Sequence, residues 1–216
     1  MAATDLTAGT PRRGGRGARE RILRAAVELF ARDGIHVTGI AKLTEVAQVS
    51  TRTFYQHFPS KEALVSAYLE RLETDPEGPV HGETVLQRTD LSARERLLAL
   101  FAGSPPPGVV RGCPLHNVAV EAAGTMPEAT ALVEQHKREF TERLIKTTAE
   151  AGAREPETLG RRLAVLFEGA NALSTSLNDT LPYRDARELA TMLIDQATGT
   201  TDGDNAGSEA APPSQR

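Results

Sequence analysis

Tryptophan is absent from the 216 residues and only 4% are aromatic, so aliphatic side chains must fill the core. Stacking clefts for sugars and aromatic cages are argued against on the same ground. The single cysteine, Cys113, rules out an intramolecular disulfide and leaves no multi-thiolate metal centre. No run approaches the ~18 consecutive apolar residues of a membrane span, and the basic residues of 1–17 are not followed by the apolar segment of a signal peptide. A soluble, cytoplasmic chain with no membrane partner is therefore expected. Sustained alternation of apolar and polar residues is missing as well, which removes the main signal for strands.

What is present is apolar spacing at helical period almost throughout, so the fold class is all-α. The ends, 1–17 and 199–216, are rich in Gly, Thr, Ser, Pro or Arg and read as disordered tails. Between them the first helix is expected over Ala18–Asp33, with Ile22, Ala25, Ala26, Leu29 and Phe30 on one stripe and Gly34 as its stop. Thr38 is expected to cap a second helix to Ala47 that turns Ile40, Leu43 and Val46 inward, and Ser50 a third over Thr51–His57. Ser60 caps a fourth that begins at Lys61. A loop is read over Thr74–Asp90. Further helices are read over Leu91–Ala102, Pro114–Ala123, Pro127–Ala151, Pro156–Asn178 and Tyr183–Ala197, three of them opening on proline, where a missing N–H costs little. The proline-rich stretch Ser104–Gly108 is read as a rigid break.

Charge is distributed unevenly along this layout. The net formal charge is −4, yet residues through Glu62 hold ten Lys/Arg against six Asp/Glu, leaving an acidic remainder. A small basic module on an acidic body suits contact with a polyanion by one end only. Within that module two short helices are joined by a tight turn, the layout of a helix-turn-helix reader. Phe54 and Phe58, four apart, anchor the third helix inward, which leaves Thr51, Arg52, Tyr55 and Gln56 outward as groups able to meet base edges and phosphates. A plain three-helix bundle would share this pattern.

The stretch from Ala18 to Glu70, and above all V-S-x-x-T-F-Y-x-H-F-x-S-K-E-A-L at Val49–Leu64, resembles the amino-terminal domain of TetR/AcrR-type transcriptional regulators. The resemblance implies a three-helix helix-turn-helix domain over 18–62, followed by a larger helical ligand-binding and dimerisation domain over 63–198. It implies a double-stranded DNA operator as partner and no enzymatic activity. Position by position, phosphate contacts fall to Thr38, Thr53, Tyr55, His57 and Lys61, with Lys42 as a further backbone candidate. Base reading falls to Thr51, Arg52 and Gln56. Two departures stand out: Gln48 replaces the usual turn glycine, which obliges it to adopt a conformation glycine reaches more easily, and Thr44 stands where alanine is common. The arginines Arg12, Arg13, Arg16 and Arg19 fit either a groove-reaching arm or a solvated leader.

The body carries a second, weaker resemblance to one TetR subgroup, G-C-x-x-x-N-x-A-x-E at Gly112, Cys113, Asn117, Ala119 and Glu121. An apolar or amphipathic effector of unknown identity is expected there, with Leu64, Tyr68, Phe101, Asn117, Glu121, His136, Phe140, Phe167 and Asn171 as candidate pocket residues. The fourth helix is expected to couple that pocket to DNA. Each polar member also fits a satisfied core residue. Cys113, at a helix start, fits an inert packed thiol or a reactive one. Homodimerisation is expected through Leu159, Leu163, Leu166, Ala170, Leu173 and Leu177 on the eighth helix and Leu189, Met192 and Leu193 on the ninth, with the small residues Gly169, Ala170 and Ala172 allowing close approach. No cofactor or metal site is expected: the five histidines do not cluster, which also disfavours an all-α enzyme. The competing class is an architectural DNA binder that needs no effector.

Overall fold

The structure is a computed structural model that describes residues 16–74, 81–102 and 113–199. The two tails beyond those limits, with Arg12 and Arg13, lie outside the described residues, as do Ser104–Gly108 and Gly112. The described residues form nine α-helices and no strand. They are α1 (Arg16–Asp33), α2 (Ile40–Ala47), α3 (Thr51–His57), α4 (Lys61–Thr74), α5 (Ala93–Leu100), α6 (Pro114–Ala122), α7 (Pro127–Glu150), α8 (Pro156–Leu177) and α9 (Leu181–Thr198). A 3-10 helix over His81–Gln87 occupies part of the stretch expected to be a loop. None of these helices is long and apolar enough to cross a membrane.

The chain packs as two compact units. The first contains residues through Gly78 together with Pro114–Glu134, and the second Pro79–Cys113 with Gln135–Arg216. The boundary expected after Glu62 on sequence grounds differs from this division, because α4 and α6 both pack with the amino-terminal helices. Helix α7 contributes its start to one unit and its remainder to the other.

In the first unit α1 buries Ile22, Ala26 and Leu29, and its Phe30 meets Tyr68 of α4 edge to face at 5.3 Å. Gly34 ends α1 with φ +93°. The cap of α2 is a correction: Gly39, not Thr38, precedes the helix, and it makes no side-chain cap bond. Thr38 is buried and its hydroxyl donates to Gly34 O at 2.7 Å, closing the α1–α2 turn instead of the α2 terminus. Of the stripe expected to face inward, Leu43 is buried, Ile40 is partly buried and Val46 is exposed. In so short a helix the buried face runs through Leu43, Thr44 and Ala47.

Gln48 does adopt the left-handed conformation, φ 53° and ψ 50°. It is held by its own N–H to Glu45 O (3.1 Å) and by the Val49 N–H to Thr44 O (3.0 Å). Ser50 caps α3 by accepting from the Thr53 N–H at 3.0 Å, and Ser60 does the same for α4 through the Ala63 N–H. These caps satisfy donors that a helix start leaves unpaired.

The second unit has an aliphatic core of Leu97, Leu144, Leu163 and Ile194, with Phe101 and Phe140. A capping box between Ser92 and Glu95 starts α5. The close approach of helices is at Gly160 of α8, where an added Cβ would lie 2.6 Å from Ile145 Cγ1 and 2.8 Å from the Ile145 backbone. At Gly169, nominated for close approach between protomers, the space within the single chain is open. Leu159, Leu163 and Ala170 are buried within this core. Their nomination as interface residues is corrected: packing inside the unit already covers them. The outward large apolar residues are Val165, Leu173 and Leu177 of α8 and Leu181, Leu189 and Met192 of α9.

Candidate nucleic-acid interface

Helix α3 divides into two faces. Phe54 and Phe58 are buried, 6.0 Å apart by ring centroid, and hold the helix to the core of the first unit. Thr51, Arg52, Tyr55 and Gln56 are exposed together on the opposite face. Tyr55, at 51% exposure, still touches the Phe54 ring edge at 5.4 Å, so its phenol is steadied from behind. Thr53 and His57 are half-buried at the flank, and the Thr53 hydroxyl lies 2.9 Å from that of Ser50. Arg21 of α1 donates from Nε to Ala47 O at 3.0 Å, which fixes the turn that sets α3 against α1. A rigid helix presenting a guanidinium, an amide and hydroxyls outward meets the chemical requirements of groove reading.

The cations nominated around α3 differ in their freedom. Lys42 is exposed and pairs with Glu45 at 3.1 Å, a contact salt would screen. Lys61 is half-buried, and its ammonium donates to Ile35 O at 2.5 Å. Burial lowers its pKa while the Glu121 carboxylate raises it. Arg19 is not part of a free arm: it lies in α1 with its guanidinium 5.2 Å above the Phe58 ring. That stacking and the engagement of Lys61 had no signature in sequence spacing. Val37, 81% exposed beside the α1–α2 turn, was likewise not singled out.

The nominated pocket residues are divided between the two units. Leu64 and Tyr68 are core residues of the first unit. Glu121 is turned to the α1–α2 turn, where it accepts the His36 N–H at 2.7 Å. Asn117 is half-buried on α6 of that unit. The second unit does bring together Phe101, Phe140 and Phe167, with centroids 5.9 and 5.3 Å from Phe167. Asn171 adjoins them through a bond from its amide to Phe167 O and accepts from the Tyr183 hydroxyl at 3.1 Å. His136 is buried one turn before Phe140. Cys113 is buried with Lys137 Nζ at 3.5 Å from its sulfur, and Lys137 pairs with Glu168 at 2.6 Å. Lys137 and Tyr183 were missed because their partners lie on other helices. Among the described residues no three His, Cys, Asp or Glu side chains converge as a metal site would require.

A helical protein that presents one polar helix over a phenylalanine-anchored turn has the layout of a helix-turn-helix DNA-binding protein. Residues 22–68 match the family of bacterial regulatory proteins of the tetR type. A putative TetR transcriptional regulator from Streptomyces avermitilis, known as a crystal structure, is 31% identical and superposes with a TM-score of 0.70. The alignment covers 84% of this chain and 98% of that one. The chain belongs to the TetR family of transcriptional regulators, and it is a DNA-binding regulator, not an enzyme. Among curated relatives, the regulator TcmR of Streptomyces glaucescens is 37% identical over 71 residues, which is 29% of this chain and 31% of TcmR. The activator FasR of Mycolicibacterium smegmatis is 38% identical over 96 residues, 43% of this chain and 42% of FasR. The chain thus matches these two over less than half of their length.

Proposed function

We propose that the protein is a homodimeric repressor that binds an inverted-repeat operator and is released from it by a small molecule. The observation that carries the reading is the exposed face of α3, on which Arg52 and Gln56 stand beside Thr51 while both phenylalanines are buried. Thr51, Arg52 and Gln56 read bases; Thr53, Tyr55, His57, Lys42 and Lys61 hold phosphates. With its hydroxyl used on Gly34 O, Thr38 contributes at most through the position of its backbone.

Dimerisation uses the exposed apolar residues Leu173, Leu177, Leu189 and Met192, flanked by the half-buried Leu166 and Leu193. That much exposed apolar surface on adjacent terminal helices suits a self-complementary interface. The effector reading narrows to the second unit, around Phe101, His136, Phe140, Phe167 and Asn171, where a few polar groups stand among aromatic rings. The test is selection of duplexes from a random pool followed by footprinting. One protected palindrome, with half-sites about 34–36 Å apart or a variant of that spacing, supports a sequence-specific dimer. Protection of many unrelated sequences would favour an architectural binder. Transcription from the selected site with and without the protein then decides repression against activation.

A further inference from the structure

The α1–α2 turn is held by two charged side chains from elsewhere in the first unit. Glu121 of α6 accepts the His36 N–H at 2.7 Å. The same carboxylate packs on Gly34, where an added Cβ would lie 3.0 Å from Oε1. Lys61, the first residue of α4, donates to the carbonyl of Ile35 at 2.5 Å, between those two residues. Its neighbour Glu62 accepts the backbone N–H of Glu128, at the start of α7, at 3.0 Å. The start of α4 is therefore gripped from both sides, by the turn that leads into α2 and by the first turn of α7. In this conformation the ammonium nominated for DNA phosphate is engaged internally by Ile35 O, and the Glu121 carboxylate lies against Gly34 and His36, the residues on either side of that carbonyl.

The geometry points to Glu121 as a positioning residue that competes with DNA phosphate for Lys61 and so sets DNA affinity from α6. On binding, the Lys61 ammonium leaves Ile35 O and the field of Glu121 for a phosphate oxygen, and Glu121 keeps its bond to the His36 N–H. Because the carboxylate rides on α6, a displacement of α6 alters the charge that opposes this transfer. This rests on the reading of Lys61 as a phosphate contact.

The experiment measures binding of the full chain to a labelled random-sequence duplex of about 30 base pairs across a salt series, since phosphate contacts need no specific sequence. Glu121→Gln retains an acceptor for His36 and removes the charge; tighter binding by about two- to fivefold is expected. Lys61→Met should make the slope of log K against log salt shallower by about 0.9, the loss of one phosphate contact. In the Lys61→Met background the gain from Glu121→Gln should vanish. A gain that persists there would mean general repulsion of DNA by the carboxylate and overturns the proposal. An unchanged slope in Lys61→Met, or no gain in Glu121→Gln, overturns it too. If circular dichroism shows Glu121→Gln unfolded, Glu121→Asn takes its place as a second neutral variant, with a gain that must depend on Lys61 in the same way. Wild-type protein showing no salt-dependent binding would instead defeat the phosphate reading itself.

Discussion

The two units of the chain bury their helices by different means. In the first, short helices are placed by local devices: a serine cap on α3 and another on α4, a left-handed Gln48 between α2 and α3, and two phenylalanines under α3. In the second, long helices meet through a broad aliphatic core and one backbone-close contact at Gly160. The outward faces differ accordingly. That of α3 is polar, while those of α8 and α9 expose Leu173, Leu177 and Met192. A short helix held in a fixed pose can be encoded by short-range signals; an outward apolar face needs only area, which many sequences supply.

This contrast is broken most severely by removing an anchor. Phe54→Ala should cost about 3–5 kcal/mol, because a fully buried ring leaves a cavity under α3. Chemical denaturation would measure it, and a loss below about 1 kcal/mol would show that α3 is held chiefly by its caps. In the second unit Gly160→Ala presses a methyl on the Ile145 backbone, which cannot yield as a flexible side chain would. About 1–3 kcal/mol of destabilisation is expected, with a lowered Tm by calorimetry, whereas Gly169→Ala should be close to neutral or slightly stabilising.

The outward faces give the next tests. Leu173→Asp with Met192→Asp should yield a folded monomer by light scattering, since both residues are exposed. Leu163→Asp should unfold the protomer, since that side chain is fully buried. A dimer that survives the double substitution would move the interface elsewhere. On α3, Arg52→Ala should relax preference at particular base pairs, by about 1–3 kcal/mol for a lost bidentate contact, and competition with randomised operators would read it. A small effect is expected at Gln48→Gly. Relief of a left-handed non-glycine residue should stabilise the first unit by about 0.5–1 kcal/mol at most, reduced by the greater freedom of glycine when unfolded.

Legibility followed the same division. The bounds of α3 and the role of Ser50 could be read directly, because capping and the Phe54–Phe58 spacing act within a few residues. The conformation of Gln48 could be anticipated from the missing glycine. The face of α8 was harder. Leu159, Leu163, Leu166, Leu173 and Leu177 recur at helical spacing, yet the helix is apolar around more than one side. Periodicity therefore did not say that Leu163 packs inward and Leu177 outward. The nominated pocket residues were no easier to read, since buried polar residues mark a core as readily as a cavity.

Sequence alone determined the all-α class, the punctuation of the helices by Ser50, Ser60, Gly34 and prolines, and the polar outward face of α3, because each depends on groups within a turn or two of one another. Tertiary structure alone decided that Lys61 bonds to Ile35 O, that Glu121 reaches His36 across 85 residues, and that Gly160 is where helices approach. Those outcomes depend on which faces of distant helices are brought together. Each helix offers several faces of similar hydrophobicity, and only the packing of all of them at once selects among these.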